Sequence, residues 1–165
     1  MKKIWTILLS FLFVFGFMNQ SFAELASHRI ALGVQLGAKF EEVKSVFGVP
    51  DRITREEIKS EAYGEFTEST FVYGNNSIVI KFYNEDAWRI ESNSSNGWKT
   101  PDGVTVGMPL QGVYDRLGKE DIKSPAENGE TLYWYNHDTR SQVNRGNLYV
   151  FVKNGRVSRI VIAYQ

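Results

Sequence analysis

Residues able to do covalent chemistry are sparse in this chain of 165 residues, and they are badly spaced for it. There is no cysteine, which excludes disulfides, thiolate metal sites, thiol nucleophiles and a lipid-modified cysteine. The two histidines, His28 and His137, stand far apart among scattered carboxylates and lack the spacing of a metal-ligand set. His137-Asp138 has the residue types of half a proton relay, but it falls in a long polar stretch with no placed nucleophile. Gly33-x-x-x-Gly37 and Gly103-x-x-x-Gly107 are not followed by the Lys and Ser or Thr of a phosphate loop, and read as turns before helices. No catalytic residue, metal or cofactor is expected, and the chain is read as not an enzyme.

The informative side chains are aromatic. Phe, Trp and Tyr make up 14% of the sequence. Such rings supply large contact area, and Tyr and Trp add a polar tip, so their value depends on which surface displays them. That is decided by the elements that carry them.

The stretch 33–90 recurs at 103–160 with a constant offset of seventy residues: Gly33, Gly37, Val43, Gly48 and Asp51 fall on Gly103, Gly107, Val113, Gly118 and Asp121, and Asn84, Arg89 and Ile90 on Asn154, Arg159 and Ile160. A period of this kind is read as a repeated supersecondary unit. Phe40, Val43 and Phe47, and in the second copy Leu110, Val113 and Leu117, recur at helical spacing and make one apolar stripe each. Pro109 suits a first helical turn, Gly48 and Gly118 suit left-handed caps, and Pro50 stops the first helix. Strands follow at 70–73, 78–83 and 87–90, and again at 132–135, 148–152 and 157–164, from their β-branched and aromatic content. Asn154-Gly155 is a type I′ hairpin signal, Asn84-Glu85 and Asn75-Asn76 mark the turns of the first copy, and residues 53–68 stay open between a solvated helical turn and a loop. The expected fold is α+β, with two tandem repeats (30–93 and 100–165), each a short helical segment packed on a small antiparallel sheet. Each half alone would bury only about 60% of its unfolded surface, so a shared core is expected.

Strand alternation assigns faces. With Val150, Val152, Ile160 and Ile162 turned to the helix, Tyr149, Phe151, Arg159 and Val161 point away. Tyr133 and Tyr135 are expected to join that outer set, leaving Leu132 and Trp134 inward. Lys81, Tyr83, Arg89 and Glu91 hold the matching positions of the first copy and are more polar. Tyr133, Tyr135, Tyr149, Phe151 and Arg159 therefore form the expected partner-binding face, since Tyr, Trp and Arg dominate binding hot spots. A small molecule or cell-wall fragment in a groove between the repeats, stacked on Trp88, Trp98 or Trp134, is the alternative.

The amino terminus reads as a secretory signal over residues 1–23, with Lys2 and Lys3 before an apolar run and Ser21-Phe22-Ala23 at its end. Its apolar core is shorter than the roughly twenty residues of a spanning helix. Loss of those two lysines leaves seventeen basic residues against nineteen acidic ones. Nucleic acid is therefore not an expected partner, because that affinity rests on clustered Lys and Arg. The mature chain is expected to be exported, to the periplasm or beyond the cell, without stable membrane insertion and with its oligomeric state open.

The run from Gly37 through Val43 to Phe47-Gly48-Val49-Pro50, with its counterpart Gly107-Met108 through Val113 to Leu117-Gly118, resembles the helix signature of the small lipoproteins of outer-membrane β-barrel assembly (SmpA/OmlA-like). Doubled in tandem, it is similar to the β-lactamase-inhibitor-protein family. That resemblance implies helices laid against antiparallel sheet, an aromatic concave surface that grips a protein, and no chemistry.

Overall fold

The strand and turn signals resolve into the elements of a computed structural model that describes residues 30–31, 33–61, 64–136 and 146–164. The signal-like residues 1–23, His28 and the His137-Asp138 pair lie outside the described residues. In chain order the elements are β1 (Ile30–Ala31), β2 (Val34–Gln35), α1 (Phe40–Phe47), β3 (Arg52–Ser60), β4 (Gly64–Tyr73), β5 (Ile78–Tyr83) and β6 (Asp86–Ser92). After a linker come α2 (Leu110–Leu117), β7 (Ile122–Pro125), a 3₁₀ turn (Glu127–Gly129), β8 (Thr131–Asn136), β9 (Asn147–Lys153) and β10 (Arg156–Ala163).

Strands β3 to β10 form a single antiparallel sheet in the order β3-β4-β5-β6-β10-β9-β8-β7. This corrects the expected α+β pair of small sheets: the fold is mainly β, one eight-stranded sheet with two short helices. The join is made by β6 and β10, which pair through Ile90↔Ile162 and Ser92↔Ile160. Either strand left as an edge would present a row of unpaired N–H and C=O groups, and pairing satisfies both rows while fusing two marginal cores. Residues 53–68, ambiguous in sequence, are β3 and the start of β4.

Both helices lie on the same side of the sheet. Their stripe residues Val43 and Val113, each fully buried, belong to one apolar cluster with Phe71, Ile80, Phe82, Ile90, Ile162, Leu148 and Val150. Phe40 meets the Phe82 ring edge-on at 4.7 Å, and burying side chains of this size is worth about 1.5–3 kcal/mol each. Hydrogen bonds recur at the seventy-residue spacing: the Gly37 N–H donates to the Ala87 carbonyl at 2.7 Å and the Gly107 N–H to the Val157 carbonyl at 2.8 Å. The β9–β10 turn has Asn154 at φ 52° and Gly155 at φ 74°, the two positive values a type I′ turn needs. Gly48 (φ 78°, ψ −157°) and Gly118 (φ 72°, ψ −155°) end the helices with extended ψ instead of the expected left-handed cap. That region is open essentially to glycine alone.

Candidate functional site

Register decides what the face away from the helices displays. Strands β8 and β9 align Trp134 with Tyr149 and Leu132 with Phe151, while β9 and β10 align Phe151 with Arg159 and Tyr149 with Val161. Leu132, Trp134, Tyr149, Phe151 and Arg159 therefore share the helix-free face. Tyr133 and Tyr135 do not join them. They stand opposite Val150 and Leu148 on the core side and are 4% and 1% exposed.

The expected assignment on β8 is thus inverted, and the reason lies in the phenol groups. The Tyr135 hydroxyl donates to the Gly118 carbonyl at the end of α2, 3.3 Å away. The Tyr133 ring meets Tyr114 of α2 edge-on at 6.2 Å, and Lys123 of β7 lies 5.1 Å from its centroid. A hydrogen bond to the Tyr133 phenol raises the Lys123 ammonium above its ordinary value. Each buried polar tip finds a partner, so the rings are stable inside. The signal that reveals this phase is the match of Phe71-Val72-Tyr73 with Tyr133-Trp134-Tyr135, at an offset of 62 residues instead of seventy. Both triplets end in a tyrosine that reaches a helix-terminal glycine, Tyr73 donating to the Gly48 carbonyl at 3.5 Å.

On the helix-free face the Trp134 and Tyr149 rings stack at 5.5 Å with an interplanar angle of 29°. The Arg159 guanidinium covers Phe151, 3.6 Å from its centroid, and donates to the Glu130 carboxylate at 3.0 Å. Ser158 donates to the other oxygen of Glu130 at 2.7 Å. Arg159 is therefore held by a carboxylate and a ring, which fixes its position and neutralises it as an anion site. Toward the first half, the face carries the Arg89–Glu91 pair and the Lys81–Glu68 pair, with Val161 and Ala163 buried between larger neighbours. Among the described residues, two polar groups on this face are buried without a hydrogen-bond partner, the Trp134 indole N–H and the Asn147 amide.

The tryptophans named for a groove are not gathered into one. Trp98 stacks on Phe47 at 4.7 Å on the helix side, beside a small cavity lined by Ile90, Ile160 and Ile162, whereas Trp134 is on the opposite face. What fold and site define together is a class: an antiparallel-sheet protein with one helix-covered face and one face that presents paired charges and stacked aromatics.

No family model and no curated protein matches the chain. Among solved structures, it is similar to an extracellular protein containing an SCP domain from Bacillus anthracis, at 13% identity and a TM-score of 0.52 over 79% of this chain and 44% of that one. It is also similar to a cysteine-rich secretory protein from Staphylococcus aureus, at 9% identity and a TM-score of 0.53 over 83% and 46%. A candidate β-lactamase inhibitor protein from Streptococcus mutans aligns at 14% identity and a TM-score of 0.31 over 75% of this chain and 81% of its own. The chain spans less than half the length of the first two, and the likeness is one of fold. The resemblance to the assembly lipoproteins stands on the helix motif alone.

Proposed function

We propose that this chain is an exported, non-enzymatic module that binds a protein partner through the helix-free face of β8, β9 and β10. Trp134, Tyr149, Phe151 and Arg159 are the contact residues, with Leu132 at their margin. The observation that carries this reading is the Trp134–Tyr149 stack beside the Arg159–Phe151 pair, on the side of the sheet that neither helix covers. Aromatic and arginine side chains that are already ordered lose little entropy on binding and make the strongest anchors. Export is supported by the pattern of residues 1–23. Two solved structures sharing the fold are described as extracellular and secretory.

The test is an affinity pull-down from envelope and culture-medium extracts with the chain from Glu24 onward. Wild type is compared with a Trp134→Ala/Phe151→Ala variant that melts cooperatively. Loss of a hot-spot ring costs about 2 kcal/mol or more, roughly thirtyfold in affinity, so the variant should release a partner that wild type retains. A partner held equally by both would move the binding surface elsewhere.

A further inference from the structure

We infer that two copies of this chain join edge to edge through β3, extending the eight-stranded sheet across a two-fold axis that passes through Glu56. The two ends of the sheet are not alike. At one end β7 has four residues and finishes in Pro125, which has no N–H to offer a further strand. At the other, β3 has nine residues without proline, and all but Ile58 and Ser60 are exposed.

The tip of this edge is also the least supported part of the sheet. Strand β5 pairs with β4 only from Glu68 to Tyr73, so residues 57–60 and 64–67 form a ribbon two strands wide. A two-stranded ribbon is marginal in water by itself.

Geometry restricts the pairing. Along β3, residues whose backbone groups face β4 alternate with residues whose groups face outward. Two identical strands related by a two-fold must therefore oppose residues whose numbers sum to an even value, which puts the axis through a residue and not between two. Glu56 is the midpoint of the strand, and an axis there overlaps all nine residues. It sets Arg55 opposite Glu57 of the second copy, twice, on the helix side of the sheet. Within the chain Arg55 lies 6.0 Å from the Phe40 centroid, and among the described residues neither Arg55 nor Glu57 has an ion-pair partner. An axis through Arg55 would instead oppose two arginines, and one through Glu57 two glutamates. The cost of the central register is one Glu56–Glu56 contact on the other face, opposite charges being favourable and like charges unfavourable across a strand pair.

Sedimentation velocity on the chain from Glu24 onward tests this directly. Wild type should sediment as a dimer. Arg55→Glu places two acidic pairs across the axis and Glu57→Arg two basic pairs, so each variant alone should become monomeric. Mixed in equal amounts they restore opposite charges at every crossing, and a heterodimer should appear. Glu56→Gln removes the like-charge contact and should tighten the dimer at least severalfold. A wild type that stays monomeric at high concentration overturns the proposal. So does a dimer indifferent to both charge reversals. This edge is at the far end of the sheet from the aromatic face, so its failure would leave the partner-binding proposal standing.

Discussion

Tyr73 and Tyr135 occupy equivalent places in the two halves, each reaching from a strand to the carbonyl of the glycine that closes a helix. Removing only that hydroxyl, as Tyr135→Phe, takes a part-buried donor from the Gly118 carbonyl and should cost about 1 kcal/mol, read as a shift in the denaturation midpoint. Burial also makes both phenols reluctant to ionise, Tyr73 being pushed up to about 12 and Tyr135 likewise raised. In the unfolded chain a tyrosine ionises near 10. Below that pH both states keep the proton and the stabilisation is complete. Above it the unfolded chain releases protons that the folded chain retains, so stability falls as pH climbs from about 10 through the folded values. Melting temperature should be insensitive to these groups from neutral pH to about 9 and fall beyond 10, and a Tyr73→Phe/Tyr135→Phe variant should show a shallower fall. At this scale the absence of thiol chemistry and the poverty of histidine are plain in the sequence. The phase of β8 is not, because Tyr-Trp-Tyr has a large amphipathic ring on either face and alternation fixes only the period.

The helices are two turns long and cannot persist without packing, so their ends must be defined by the turn residues. Gly118 and Gly48 combine positive φ with extended ψ, and a Cβ built at either meets no atom within 4 Å. Substitution there is opposed by backbone strain and not by crowding. Gly118→Ala should cost about 1–3 kcal/mol in chemical denaturation, with the folded spectrum unchanged. Asn154, at φ 52°, is in a region asparagine tolerates, and Asn154→Ala should cost about 1 kcal/mol. Helices and hairpins are legible from stripes and turn residues because those signals are local. Strand β3 escapes such reading. It is an edge strand with almost every side chain in solvent, so its charges show no alternation of apolar and polar positions.

Across the whole molecule, the seam between β6 and β10 makes the halves one cooperative unit. Ile90 and Ile162 oppose each other there, 1% and 0% exposed, within an apolar cluster that continues under both helices. Ile162→Ala should cost about 2–5 kcal/mol. Calorimetry should show a single transition whose calorimetric and van't Hoff enthalpies agree, before and after the substitution, where independently folded halves would give two. The seventy-residue repeat announces two similar halves and a shared core, but nothing in it states that the last strands of the halves will pair.

By itself the sequence determined the local features: two short amphipathic helices ended by glycine, the strand-rich segments and the Asn-Gly turn. These depend on interactions between residues close along the chain, and spacing records them. Only the tertiary structure decided that there is one sheet instead of two, that Tyr133 and Tyr135 are core while Trp134 is on the helix-free face, and that Arg159 is tied to Glu130 and Phe151. Those outcomes depend on which faces and edges are removed from water together, a free energy shared among residues far apart in sequence and expressed only when the halves meet.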